Sequence, residues 1–112
     1  MLKVILFGGI NMKIKIFCSA GMSTSMLVSR MQSAAKARGL DAEIDTYPES
    51  TIDEETEDCD VALLGPQVRF MLNKAKEVCD PKGVPVDVIA MQDYGMINGE
   101  KVLDAALALA GK

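Results

Sequence analysis

Cys18 is the residue in this chain best placed to do chemistry. It ends the apolar run Ile14-Lys15-Ile16-Phe17 and opens the segment Ser19-Ala20-Gly21-Met22-Ser23-Thr24-Ser25, which leads into an amphipathic stretch from about Ser25 to Gly39. The order is strand, tight loop, helix, with a thiol where the strand ends. The first turn of a helix carries unpaired N–H groups and the positive end of the helix dipole, and both favour an anion. The same field favours a thiolate, the nucleophilic form of cysteine. A nucleophilic sulfur inside a cradle for phosphate oxygens points to phosphoryl chemistry on Cys18. The plainer alternative, a packing cysteine at the end of a buried strand, leaves the loop composition unexplained.

The chain has no histidine. Ser-His and Cys-His catalytic pairs and imidazole metal sites are therefore out of reach, so activation of Cys18 has to come from backbone amides and the helix dipole. Any histidine in the reaction has to belong to a partner. Three cysteines without a Cys-x-x-Cys spacing argue against a zinc site or a disulfide framework and fit a reducing cytoplasm. No metal and no cofactor is expected. The formal net charge is −4, with no cluster of Lys and Arg interleaved with aromatics, which speaks against nucleic acid as a partner.

The elements that must hold Cys18 alternate between strand and helix patterns, within a length that suits one domain. Lys13 to Phe17 reads as the first strand. The helix after it places Leu27, Met31, Ala34 and Ala35 on one face and stops at Gly39. Ala42 to Tyr47 alternates as a half-exposed strand, and Pro48 to Asp58 reads as a short helix or loop. Val61 to Leu64 reads as a buried central strand ending at Gly65-Pro66. Val68, Met71, Leu72, Ala75, Val78 and Cys79 repeat at helical spacing, and Val84 to Ala90 reads as an edge strand because of Pro85 and Asp87. Asn98 caps a last helix that buries Val102, Leu103, Ala106 and Leu109 or Ala110.

Repeated β-α units predict an α/β fold, a parallel sheet with helices on both faces. In such a sheet the site lies beyond the carboxyl ends of the strands. Cys18, the Gly65-Pro66-Gln67 turn and the Gln92-Asp93-Tyr94-Gly95 segment should therefore meet at one edge. Lys13 and Lys15 fit poorly in a central strand and are expected to reach solvent from its early end. The acidic residues Asp53, Glu54, Glu55, Glu57, Asp58 and Asp60 are expected to form a solvated face, with Met26, Met31, Met71 and Met91 filling core and Cys59 and Cys79 packing.

Residues 1–11 stand apart. Val4 to Phe7 is too short for a signal-peptide core, no small-x-small cleavage site follows, and no transmembrane span is present. Gly8-Gly9 can be encoded by a purine-rich ribosome-binding sequence just upstream of the Met12 codon, so the segment reads as a leader-derived, non-native extension before a single domain of residues 12–112. The alternative is a strand, Leu2 to Phe7, turning at Gly8-Gly9 to pair with Lys13 to Phe17.

Several phosphate motifs fail on inspection. Gly21 has no lysine behind it, so there is no Walker A loop, and no Gly-x-Gly-x-x-Gly occurs. The nearest enzymatic rival is the cysteine phosphatase loop, with an arginine six positions after the cysteine; here that position is Thr24, followed by Ser25. Without a guanidinium to clamp phosphate bidentately, the loop suits a carrier better than a hydrolase.

Three segments then carry a resemblance: Phe17-Cys18-Ser19-Ala20-Gly21-Met22-Ser23-Thr24-Ser25, Leu63-Leu64-Gly65-Pro66-Gln67-Val68 and Asp93-Tyr94-Gly95. From Met12 onward the chain resembles the enzyme IIB component of the sugar phosphotransferase system, in the lactose, cellobiose and chitobiose class. The loop shows no departure from that pattern; only residues 1–11 fall outside it. The resemblance implies a three-layer open sandwich with a four-stranded parallel sheet in the order 2-1-3-4, similar to the low-molecular-weight phosphatases. It further implies that Cys18 takes phosphate from a phosphohistidine on an enzyme IIA partner. Backbone amides from Ser19 to Ser25 would hold the phosphate, which then passes to a sugar, a β-linked disaccharide, on the membrane-embedded enzyme IIC. Such a protein works in the cytoplasm, at the membrane only through enzyme IIC, without inserting itself. The alternatives are a stand-alone cysteine phosphatase or arsenate-reductase relative, and a regulatory phosphoprotein module.

The remaining candidates each have two readings. Ser19, Ser23, Thr24 and Ser25 either donate hydroxyls to phosphate or cap the helix. Met22 is a flexible apolar side chain suited to two partners. Gln67 faces the phosphorylated edge and Arg69 an acidic partner patch, or both are solvated surface. Tyr94 either closes the site or packs as a rim aromatic.

Overall fold

A computed structural model describes residues 12–19 and 22–111. The four strands are β1 (Met12–Cys18), β2 (Ala42–Pro48), β3 (Val61–Leu64) and β4 (Val86–Val88). All pairings are parallel and the order is β2-β1-β3-β4. Five helices connect and follow them: α1 (Met22–Ala37), the single turn α2 (Ile52–Glu55), α3 (Leu72–Cys79), α4 (Met91–Gly95) and α5 (Gly99–Leu109).

Side-chain alternation along the strands divides the core in two. Ile14 and Ile16 of β1 with Val61 and Leu63 of β3 meet Leu27, Met31, Val102 and Leu103 from α1 and α5. Phe17, Ala62 and Leu64 point the other way and meet Ile52, Ala75 and Cys79 on the α2–α3 side. This is the three-layer arrangement expected. α1 and α5 pack so closely that a Cβ on Gly99 would lie 2.6 Å from the Arg30 backbone carbon and 2.7 Å from the Met31 nitrogen.

The same alternation explains the lysines in a central strand, and corrects two expectations. Lys13 and Lys15 share the face of Phe17, under the acidic segment that follows β2. The Lys15 ammonium is buried; it donates to the Glu55 carbonyl at 2.9 Å and the Glu55 carboxylate at 3.1 Å, and lies 5.2 Å from the Tyr47 ring centre. Lys13 pairs with Asp58, and Lys82 pairs with Asp53 and Glu57. The lysines do not simply escape to solvent, and the acidic stretch is not merely a solvated face: it supplies counter-charges to one side of the sheet. Asp58 is accordingly held below the ordinary carboxylate range by its Lys13 hydrogen bond, and Lys13 is held above the ordinary lysine value by the same bond.

Other differences are local. α1 begins at Met22 rather than Ser25. The stretch expected to be helical from Val68 starts as a 3-10 segment, Pro66–Met71, with Val68 out of helical geometry at φ −116°, ψ 27°, before α3 begins. β4 is three residues, and on its open side the Asp87 carboxylate takes the Val88 N–H at 2.7 Å. That contact also blunts the exposed edge of the sheet. Met31 is core, but Met26 and Met91 are exposed. Cys79 is buried and Cys59 half-buried.

The residue 1–11 segment lies outside the described residues. No helix among the described residues is long and apolar enough to cross a membrane.

Candidate phosphoryl-transfer site

β1 and β3 are the adjacent central strands whose onward connections diverge, the position where a doubly wound sheet opens a crevice. Cys18 is the last residue of β1. The chain leaves β3 at Gly65, whose N–H donates to the Phe17 carbonyl at 2.9 Å. A Cβ on Gly65 would lie 3.0 Å from Cys18 Cβ and 2.7 Å from Gln67 Oε1. Its φ of −63° is ordinary, so glycine is needed there for space and not for conformation.

Among the described residues, the hydrogen-bond partners of the Cys18 sulfur are two threonine hydroxyls. Thr24 Oγ1 lies 3.2 Å from Sγ and Thr46 Oγ1 3.9 Å. Thr24 is fully buried in the first turn of α1, so its contact brings the helix N-terminus and its unpaired N–H groups to the sulfur. No acidic side chain stands in that turn to compete with an anion. Thr24 Oγ1 also lies 2.8 Å from the Tyr94 hydroxyl, and Gln67 Nε2 donates to that hydroxyl at 2.9 Å. Three segments far apart in sequence thus converge on Cys18, as their positions after β1, β3 and β4 predict.

Other candidates fall less centrally. Ser19 and Ser25 are exposed. Ala20 and Gly21 lie outside the described residues; Met22 and Ser23 open α1, with only their backbone described. Arg69 is exposed and donates to the Pro66 carbonyl of its own segment at 3.1 Å, and Arg38 is tied to Glu100 and Asp104. Two site residues were not foreseen. Thr46 lies on β2 two positions before Pro48, the Cys18 partner, a relation visible only once the register is fixed. Gly65 looked like a turn residue but is a spacer. Cys59 donates to the Val61 carbonyl at 3.1 Å, and burial pushes its thiol up to about 11. Burial raises the Cys79 thiol too. In both, burial disfavours the thiolate, the nucleophilic form.

Comparison with known proteins agrees with this geometry. Residues 13–105 match the family model described as PTS system, lactose/cellobiose specific IIB subunit. The galactose-specific EIIB component of Lactococcus lactis subsp. cremoris and the cellobiose-specific EIIB component of Lactococcus lactis subsp. lactis are each 50% identical over 100 residues, covering 83% of this chain and 91% of theirs. The oligo-beta-mannoside-specific EIIB component of Bacillus subtilis is 38% identical, covering 87% of this chain and 94% of its own. In structure, the chain resembles the cellobiose-specific IIB component of Borrelia burgdorferi, with a TM-score of 0.77 and 42% identity over 93% of this chain and 95% of that one. The lactose-specific IIB domain of Streptococcus pneumoniae shares the fold, with a TM-score of 0.80 at 16% identity over 88% of this chain and 97% of that one. The chain belongs to the lactose/cellobiose class of enzyme IIB subunits of the sugar phosphotransferase system.

Proposed function

We propose that Cys18 takes a phosphoryl group from a phosphohistidine of enzyme IIA and passes it to a sugar held by membrane-embedded enzyme IIC. Enzyme IIB subunits are phosphotransferases that act through a phosphocysteine, with IIA and IIC as partners in the same system. The observation that carries the assignment to Cys18 is its sulfur at the end of β1 in contact with Thr24 in the first turn of α1. There the thiolate attacks phosphorus, the S–P bond forms as the N–P bond to the partner's imidazole breaks, and the backbone amides from Ser19 to Ser25 receive the phosphate oxygens. The second transfer breaks S–P and forms O–P on the sugar, and the sulfur leaves as thiolate.

The surroundings suit two successive partners. Gln67 and Tyr94 stand at the rim. The segments that carry them also present Phe70, 80% exposed, and Met91 and Met96, apolar side chains available for docking. Arg69 is proposed to meet an acidic patch on a partner. The working unit is residues 12–112, in the cytoplasm and at the membrane through enzyme IIC. The sugar is proposed to be a β-linked disaccharide, the kind that fits the names of the cellobiose- and oligo-beta-mannoside-specific relatives; the galactose-specific relative marks the alternative.

The test is peptide mass spectrometry after incubation with phosphoenolpyruvate and the upstream carriers including enzyme IIA. Phosphate is expected on Cys18 and absent from Cys18→Ser, and phosphate on another residue overturns the assignment. With neutral donors around the sulfur, the isolated protein should leave p-nitrophenyl phosphate intact. Brisk turnover that disappears in Cys18→Ser would instead make the protein a phosphatase.

A further inference from the structure

We infer that Gln67 and Tyr94 are positioning residues that act on the Cys18 sulfur through Thr24, as a hydrogen-bond chain with every donor aimed at the sulfur. The inference rests on Cys18 being the reacting residue. Three distances define the chain: Gln67 Nε2 to the Tyr94 hydroxyl at 2.9 Å, that hydroxyl to Thr24 Oγ1 at 2.8 Å, and Thr24 Oγ1 to Sγ at 3.2 Å.

Its direction follows from donor and acceptor counts. The Gln67 NH2 group can only donate, so the Tyr94 oxygen accepts from it and the phenolic hydrogen turns to Thr24. The Thr24 oxygen then accepts from tyrosine, and its own hydrogen is free for the sulfur. A thiolate accepts that hydrogen; a neutral thiol has its own hydrogen to place, and a Thr24 oxygen already accepting from Tyr94 serves it less well. Each bond also polarises the next, so the last donor is stronger than an isolated threonine hydroxyl. Thr24 is fully buried, so water does not stand in for tyrosine. The chain contributes donors without adding charge to the site. It also accounts for the 2.7 Å approach at Gly65, because a side chain there would push away the Gln67 amide that starts the chain.

The experiment follows the thiolate-to-thiol ratio of Cys18 directly, by NMR of full-length protein carrying cysteine labelled with carbon-13 at Cβ. The readout needs neither phosphate nor a partner. Tyr94→Phe keeps the ring and removes only the hydroxyl; Gln67→Met keeps the length and removes the amide. At the pH where the wild-type sulfur is half ionised, Tyr94→Phe should lower the ratio by about 1.3- to 4-fold, because the Thr24 bond to the sulfur remains and only its polarisation is lost, and Gln67→Met by a smaller factor. The double variant should match Tyr94→Phe alone, since Gln67 acts only through the tyrosine. Unchanged ratios, additive losses in the double variant, or a ratio that rises because the chain runs the other way would each overturn the inference. Phosphorylation of the wild-type protein is scored separately. If phosphate lands elsewhere while the ratios behave as stated, the proposed function fails and with it the positioning role, while the hydrogen-bond chain itself is borne out.

Discussion

Gly65→Ala separates damage to the site from damage to the fold. The added methyl would sit 2.7 Å from Gln67 Oε1, 3.0 Å from Cys18 Cβ and 3.7 Å from the Phe17 carbonyl oxygen. The first is shorter than real Cβ contacts and the second is tighter than most, so both neighbours must give way. Gln67 is exposed and can swing aside at little cost; Cys18 ends a central strand and must yield by a few tenths of an ångström. Overpacking of this kind costs about 1–3 kcal/mol. Alanine at an ordinary backbone conformation returns about 0.4–1 kcal/mol by restricting the unfolded chain. The net loss should be about 0–2.6 kcal/mol, with the protein folded. On the proposed function the moved atoms belong to the nucleophile and its hydrogen-bond chain, and misplacement of about 1 Å at a reacting centre costs about 100-fold in rate. A shift of a few tenths should therefore slow phosphoryl acceptance by about 3- to 30-fold.

Gly39→Ala supplies the contrast. Nothing lies within 4 Å of its added methyl, but Gly39 follows α1 at φ +71°, where a side chain is strained by about 1 kcal/mol. That variant should lose a similar amount of stability and accept phosphate at the wild-type rate. The assays are urea denaturation and the initial rate of Cys18 phosphorylation by mass spectrometry under saturating phospho-enzyme IIA. Equal rates in Gly65→Ala and wild type, or a rate loss in Gly39→Ala matching that in Gly65→Ala, would refute the placement of Gly65 against the reacting cysteine.

Gly99→Ala should be destabilised by more than either, by at least about 2 kcal/mol in urea denaturation, because its methyl would meet the Arg30 and Met31 backbone, which cannot rotate away. Asp58→Asn should be less stable than wild type at neutral pH and low salt. Because the folded-state value of Asp58 is depressed, its contribution is present above about pH 4 and lost as pH falls through that lower value, so the two stability curves should converge in acid. A chain beginning at Met12 should accept phosphate on Cys18 as fast as the full chain, measured by the same mass-spectrometric rate.

The strands were largely legible because apolar runs such as Val61 to Leu64 end in Gly-Pro punctuation and β-α alternation implies a parallel sheet; their order followed only from the resemblance to the enzyme IIB family. Asn98 was legible as a cap, and its side chain does accept from the Lys101 N–H at 3.1 Å. What stayed hidden depended on contacts across the fold. Thr24 and its neighbours read as loop because such residues favour caps and turns. In the structure Thr24 is helical, with its hydroxyl drawn to Cys18 and Tyr94 instead of to its own backbone. α4 is a helix of five residues, too short to show a period. The buried ion pair of Lys15 could not be read from its strand, since its counter-charge, Glu55, comes from a segment with no clear periodicity.

The physical distinction between carrying phosphate and hydrolysing it lies in what surrounds the sulfur. Holding a phosphocysteine requires donors for the phosphate oxygens, a role that backbone amides with neutral hydroxyls can fill. Hydrolysis additionally requires neutralising charge that builds up as water attacks in line, which a guanidinium or a metal ion does well and neutral dipoles do poorly. Here the sixth residue after the cysteine is Thr24, which spends its hydroxyl on the sulfur and on Tyr94. Of the three arginines, Arg38 and Arg69 are engaged elsewhere and Arg30 lies on α1 where it packs against Gly99. A site built this way lowers the barrier most when a partner brings the missing charge stabilisation with its own acceptor. On the proposed function, phosphate then moves only when docking is complete, which would tie transfer to sugar bound in the membrane.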